Sequence, residues 1–201
     1  MGDRPRIGLL GGRFDPPHAG HLWMARRARR RWLLDQIWLL PTWRPPHKEA
    51  SAMTSYLHRA AMTALLAAEE PWLELCEVEK ERGTRFSLDT VRALKAEHGD
   101  TLHFHLIIGG DSLADLDQWH EPWQLVREVS LLVLAREGSG QSSPYPHEID
   151  TGAMHAAQSR RIRSELAGER DAGAWLTDSV KNYIRQEGLY VPRPPGKGKR
   201  D

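Results

Sequence analysis

The sequence predicts an α/β fold: a doubly wound parallel sheet of five to six strands, followed by C-terminal helices. Three observations carry that expectation. Short apolar runs alternate with longer amphipathic ones as far as Ala135, the pattern of βαβ units around a parallel sheet. The first apolar run ends in Gly11-Gly12 and leads directly into a helical pattern. At 201 residues the chain suits one domain whose continuous core needs neither disulfides nor a structural metal.

Taken in order, strands are expected near Arg6–Leu10, Gln36–Leu40, Trp72–Glu77, Leu102–Ile108 and Ser130–Ala135, each brief and apolar. Helical patterns lie between them near Ala19–Leu33, Thr54–Ala68, Ser87–Glu97 and Ser112–Leu116, with a further short helix near Glu121–Arg127. The stretch from Glu137 to Pro146 is rich in Gly, Ser and Pro and has no periodicity, so it reads as a loop. Beyond it, Ser159–Leu166 and Asp178–Glu187 read as helices, the second closed by Gly188. Residues 1–191 then form the domain. Residues 192–201, a Pro-, Gly- and Lys-rich tail, cannot bury apolar surface and are expected to be disordered. In such a sheet, ligands bind at the carboxyl ends of the strands.

Composition narrows the classes of partner. Lys and Arg number 28 against 27 Asp and Glu, a net charge of +1, which gives no support to a protein that coats a polyanion. The run Arg26-Arg27-Ala28-Arg29-Arg30-Arg31 is the one feature that fits a nucleic-acid-binding module. It lies in the first helix, where Trp23, Ala28 and Trp32 supply the apolar positions and the arginines form the wet face, so no nucleic-acid partner is expected. The single cysteine, Cys76, sits in an apolar run and reads as a reduced, buried thiol of a cytoplasmic protein. The start lacks the apolar core of a signal peptide, and no apolar run suits a bilayer, so no membrane partner is expected. Met1-Gly2 is no myristoylation signal, because Arg6 stands where that signal takes Ser or Thr.

The chemistry is concentrated in Gly11-Gly12-Arg13-Phe14-Asp15-Pro16-Pro17-His18-Ala19-Gly20-His21. Two glycines at a strand end let the backbone turn sharply and approach a ligand with no Cβ in the way. The helix that follows offers unpaired N–H groups and a positive dipole end to an anion such as a triphosphate. His18 and His21, spaced i, i+3, share one face of its first turn and can grip one phosphate chain. Phe14 reads as packing, with its backbone N–H toward the ligand, and Asp15 as a turn or cap residue. A metal site from Asp15, His18 and His21 is the lesser reading, since no further ligand set with zinc-like spacing follows. His103 and His105 alternate on one strand and read as structural.

Gly-Gly, Phe-Asp-Pro and His-x-Gly-His between a first strand and a first helix resemble the signature of the HxGH nucleotidylyltransferases. Within that superfamily, Pro41-Thr42-Trp43-Arg44-Pro45-Pro46-His47-Lys48 is similar to the Pro-x-x-x-Pro-Pro-His-Lys segment of bacterial nicotinate-nucleotide adenylyltransferases. The segments Thr84–Thr90 and Ile107–Leu113, Trp119, Arg136, Ile162-Arg163 and the close at Gly188-Leu189-Tyr190 also resemble that family, so the likeness spans nearly the whole chain.

The resemblance implies a Rossmann-like nucleotidyltransferase fold and transfer of AMP from ATP to nicotinate mononucleotide, with Mg²⁺ held largely by phosphates and water. It makes His18, His21 and Arg163 the catalytic set. It assigns Gly11, Gly12, Arg13, Phe14, Gly109, Asp111, Arg136, Ser159 and Ile162 to ATP, with Gly109 and Asp111 lining the adenosine pocket. His47, Lys48, Arg85, Phe86, Trp119 and His120 fall to the mononucleotide. Trp119 would stack on the nicotinate ring, with a core tryptophan as the plainer reading.

Three departures leave alternatives open. Arg13 replaces the usual Ser or Thr and can clamp a phosphate or point into solvent. Ala157-Gln158-Ser159-Arg160-Arg161-Ile162-Arg163 stands where the family has Ile-Ser-Ser-Thr-x-Ile-Arg, which leaves the job of Arg160 open. Arg85 and Phe86 replace Ser and Tyr near the pyridine site. Nicotinamide mononucleotide or another phosphorylated acceptor, and a nucleotide-binding homologue with reduced turnover, are therefore the alternatives. The sequence leaves a homo-oligomer open.

Overall fold

Six parallel strands form one sheet in the order β3-β2-β1-β4-β5-β6 in a computed structural model of the protein, which describes residues 4–44, 53–138, 142–168, 170 and 172–191. The strands are β1 (Arg6–Gly12), β2 (Gln36–Pro41), β3 (Leu73–Leu75), β4 (His103–Gly109), β5 (Ser130–Ala135) and β6 (Glu148–Thr151). The helices are α1 (Ala19–Trp32), α2 (Tyr56–Ala67), α3 (Val78–Arg82), α4 (Ser87–His98), α5 (Gly110–Ala114), α6 (Pro122–Glu128), α7 (Ser159–Ala167) and α8 (Asp178–Gln186).

The doubly wound sheet is as expected, at six strands. The chain builds outward from β1 through β2 to β3, then crosses back to lay β4 on the other side of β1, with Leu10 opposite Ile107. That reversal opens a crevice at the carboxyl ends of β1 and β4, the place where such sheets bind ligands.

Strand side chains alternate between two cores. Ile7, Leu9, Leu106, Ile108, Leu131 and Val133 face one way, against α4, α5 and α6. Leu10, Ile37, Leu39, Ile107, Leu132 and Leu134 face the other, against α1, α2, α7 and α8. Burying each such aliphatic side chain stabilises the fold by about 1.5–3 kcal/mol, which is why the central strands read as continuous apolar runs. Gly8 sits on the second face, where an added Cβ would come within 2.7 Å of Ile107 Cδ1 and 2.8 Å of Leu34 Cδ1.

Several expectations need correcting. The edge strand β6 and the helix α3 were not anticipated, and β3 is three residues rather than six. Cys76 follows β3 and is only half-buried, with burial pushing its thiol up to about 11, so it stays protonated. The close of α8 is as expected, with Gly188 left-handed at φ 58° and the Leu189 N–H donating to the Ile184 carbonyl at 3.0 Å. The tail, 192–201, lies outside the described residues.

Candidate active site

The β1–α1 connection is built differently from the glycine turn the sequence suggested. Gly11 and Gly12 continue β1 in extended conformation, and the reversal falls on Phe14, at φ 47°. A left-handed phenylalanine is held there because its ring is buried, 1% exposed, with its centroid 4.6 Å from that of His21. The glycines serve approach rather than turning. A Cβ on Gly11 would meet nothing within 4 Å, and the same holds for Gly109 at the end of β4.

Polar side chains from distant elements anchor this connection. Arg59 of α2 is buried and donates to the carbonyls of Arg13 (2.8 Å), Thr42 (2.7 Å) and Thr54 (3.0 Å), joining the loops after β1 and β2. Asp15 is a buried carboxylate rather than a simple turn or cap residue. It accepts from the Tyr190 hydroxyl at 2.7 Å and from the Thr54 N–H at 3.3 Å. From α7, Arg163 Nη1 donates to the Asp15 carbonyl at 2.6 Å and Ser159 Oγ to the Pro16 carbonyl at 3.0 Å. The first turn of α7 is thereby seated on the loop that leads to His18.

His18 caps α1 and His21 is its third residue, and their ring centroids lie 3.8 Å apart. The backbone N–H of His18 donates to His21 Nδ1 at 3.2 Å, so a neutral His21 carries its proton on Nε2. Desolvation, and then the positive charge of His155, lowers His18 to about 4. His21 is lowered well below its ordinary value by desolvation and then by His18. Burial thus favours the uncharged form of both rings. Gly20 between them is sterically required. A Cβ there would stand 2.9 Å from His18 Nδ1 and 3.2 Å from the Ala157 carbonyl oxygen.

A cavity of about 210 Å³ opens in the crevice between these rings and the ends of β4 and β5. It joins five of the sequence-predicted residues: His18, His21, Gly109, Asp111 and Arg136. Trp23, Met24, Met154, His155 and Gln158 also line it and were not foreseen. Gly11, Gly12, Arg13 and Arg163 stand in or against the β1–α1 connection, Arg13 with an exposed side chain. Ile162 needs correction: its side chain is 0% exposed in the core, so it packs α7 and cannot touch ATP.

On the expected mononucleotide side, two separate segments meet. Phe86, just before α4, stacks on His120, with centroids 4.4 Å apart and planes 29° apart. Trp119 is half-buried against the core, and Arg85 is exposed beside them. His47 and Lys48 lie outside the described residues. Among the described residues there is no group of three or more His, Cys, Asp or Glu able to hold a metal. The arginine run of α1 is tied into the fold: Arg26 pairs with Glu70 at 2.6 Å, Arg27 with Asp150 at 2.5 Å, and Arg29 lies over Trp72. No helix among the described residues is long and apolar enough to cross a membrane.

Residues 9–170 match the cytidylyltransferase-like family. The nicotinate-nucleotide adenylyltransferase of Bacillus subtilis is 35% identical over 188 residues, covering 92% of this chain and 98% of that protein. The chain belongs to the nicotinate-nucleotide adenylyltransferase family. It is thus a nucleotidyltransferase, and the resemblance drawn from its motifs is borne out. Two solved structures of the Plasmodium falciparum nicotinic acid mononucleotide adenylyltransferase share the fold at 19% identity. One is complexed with NaAD (TM-score 0.78) and the other with APC (TM-score 0.76), each matching 92% of this chain and 97% of its own.

Proposed function

We propose that the protein transfers AMP from ATP to nicotinate mononucleotide, giving deamido-NAD and pyrophosphate in NAD biosynthesis. The observation that carries this is the pair of close, neutral imidazoles at the start of α1, opening with Asp111 onto one cavity at the sheet's reversal point. Family membership supports the choice of acceptor.

The reaction is an in-line displacement. A phosphate oxygen of the mononucleotide attacks the α-phosphorus of ATP. As the new O–P bond forms, the bond to the bridging oxygen breaks, and pyrophosphate leaves with that electron pair. No protein nucleophile is needed, so catalysis consists of positioning and of donors aimed at developing negative charge. His21 offers Nε2–H because its Nδ1 is already engaged, and His18 stands beside it on the same face. Arg163 spends one N–H on the Asp15 carbonyl and keeps others for phosphate oxygens. Gly109 and Asp111 receive the adenosine, with Arg13, Arg136 and Ser159 around the phosphates. The segment holding His47 and Lys48, with Arg85, Phe86, Trp119 and His120, receives the mononucleotide.

Mg²⁺ fits this site in one way. Among the described residues Asp111 is the sole carboxylate lining the cavity and no metal cage is offered, so the ion would be held by ATP's phosphates and by water. Bound there, it would neutralise charge on the departing pyrophosphate.

The test incubates the protein with ATP, Mg²⁺ and either nicotinate or nicotinamide mononucleotide, measuring pyrophosphate and dinucleotide together. Equal amounts of both products, formed faster with the nicotinate substrate, are expected. A protein that binds ATP but releases no pyrophosphate with either acceptor contradicts the proposal.

A further inference from the structure

The segment between β6 and α7 brings a third imidazole to the cavity. His155 lines the same space as His18 and His21, and its charge is felt by His18. Two contacts fix its ring. The Ala157 N–H donates to its Nδ1 at 3.1 Å, and the ring meets Trp175 edge-on, with centroids 6.0 Å apart at 84°. With Nδ1 engaged, the neutral ring bears its proton on Nε2. Among the described residues that donor has no protein partner. The same segment is pressed onto the first turn of α1, since the Ala157 carbonyl oxygen lies 3.2 Å from where a Cβ on Gly20 would be.

We infer that His155 is a third polyphosphate donor in this site, giving its Nε2–H to the β- and γ-phosphates of ATP that leave as pyrophosphate. The inference rests on the adenylyltransfer reading above. The polyphosphate is favoured over the base or ribose because His155 faces the start of α1, where free N–H groups and the helix dipole already draw an anion. Asp111, the acidic residue of the cavity, follows β4 on the other flank, where a ribose hydroxyl rather than a phosphate suits a carboxylate. His155 thus adds one more N–H donor to the end of the cavity that faces the start of α1.

Three variants separate this role from a structural one. His155→Asn keeps an acceptor for the Ala157 N–H but removes the Nε2 donor. His155→Phe keeps a ring against Trp175 and removes the same donor. His155→Gln places an amide N–H near the lost position. Asn and Phe should each raise both the KM for ATP and the inhibition constant of pyrophosphate roughly tenfold, the scale of one hydrogen bond to a charged group. The KM for the mononucleotide should stay within about twofold, and Gln should recover part of the loss. Folded Asn and Phe variants with unchanged ATP and pyrophosphate constants overturn the inference, as does a loss confined to the mononucleotide. If the wild-type protein makes no dinucleotide, the adenylyltransfer reading fails by itself. Calorimetric titration of pyrophosphate into wild type and the three variants then still decides for or against His155.

Discussion

Adding one methyl group at Gly20 should damage catalysis far more than folding. The new Cβ would lie 2.9 Å from His18 Nδ1, 3.0 Å from His18 Cε1 and 3.2 Å from the Ala157 carbonyl oxygen. Ordinary contacts lie at about 3.5–4.0 Å, so the neighbours must give way by about half an ångström. The carbonyl belongs to the segment seated before α7, and the His18 ring, 6% exposed, can yield only toward His21 or the cavity. Overpacking of this kind costs about 1–3 kcal/mol, partly offset by the advantage of about 1 kcal/mol that alanine holds over glycine in a helix. The net loss corresponds to a fall in melting temperature of no more than about 8 °C for a chain of this length. Misplacing a positioned donor by about 1 Å, in contrast, costs about a hundredfold in turnover, so a shift of about half that costs about tenfold. Gly20→Ala should therefore melt within about 8 °C of the wild type and release pyrophosphate about ten times more slowly. A variant with wild-type turnover would show that the His18 ring is not held where the reaction needs it, and the steric argument would fall.

The other predictions concern single groups. His21→Ala removes one transition-state donor and should lower kcat by about a hundredfold or more in steady-state assays while the fold survives, because the ring lines the cavity rather than a hydrophobic core. Arg59→Met leaves the carbonyls of Arg13, Thr42 and Thr54 without their shared donor, and should destabilise the protein by about 3–5 kcal/mol in denaturant titrations. His105, buried in β4 with neither ring nitrogen hydrogen-bonded, is lowered to about 4 by desolvation and then by His103 and Arg6. Its unfolded form takes up a proton near pH 6.5, so the stability it confers is complete above that pH and lost as pH falls toward 4. His105→Leu should remove this dependence, and its stability advantage over wild type should grow by about 3 kcal/mol between pH 6.5 and pH 4.

Legibility in the sequence followed the range of the forces involved. The β1–α1 connection could be read because its chemistry is packed into eleven consecutive residues, and the i, i+3 spacing alone makes the two imidazoles neighbours. The inner strands were readable because both faces are buried. The edge strand β6, Glu148-Ile149-Asp150-Thr151, carries one large apolar residue and stays half-exposed, so it gives neither a run nor an alternation. The helix α3, Val78-Glu79-Lys80-Glu81-Arg82, is too short to show a period. Glycine pointed to the right loop for the wrong reason: the turn lies at Phe14, whose strain is borne by a buried ring that no local rule predicts. Arg59 sits in the pattern of an amphipathic helix, where an arginine ordinarily faces water. Only the three carbonyls supplied by distant segments make its burial possible. His155 escaped notice because the stretch before α7 has no periodicity, and its place in the cavity is a product of the chain's return past β6.

Catalysis in this site depends on imidazoles that grip polyphosphate as neutral donors. Nitrogen-15 correlation spectra of the histidine rings at pH 7, recorded while a non-hydrolysable ATP analogue is titrated in, observe this directly. His21 should show an unprotonated Nδ1 and a protonated Nε2 before the analogue is added, and its Nε2–H signal and that of His18 should move together to saturation. A doubly protonated His21, or ring signals that stay fixed while the analogue binds, would contradict the account.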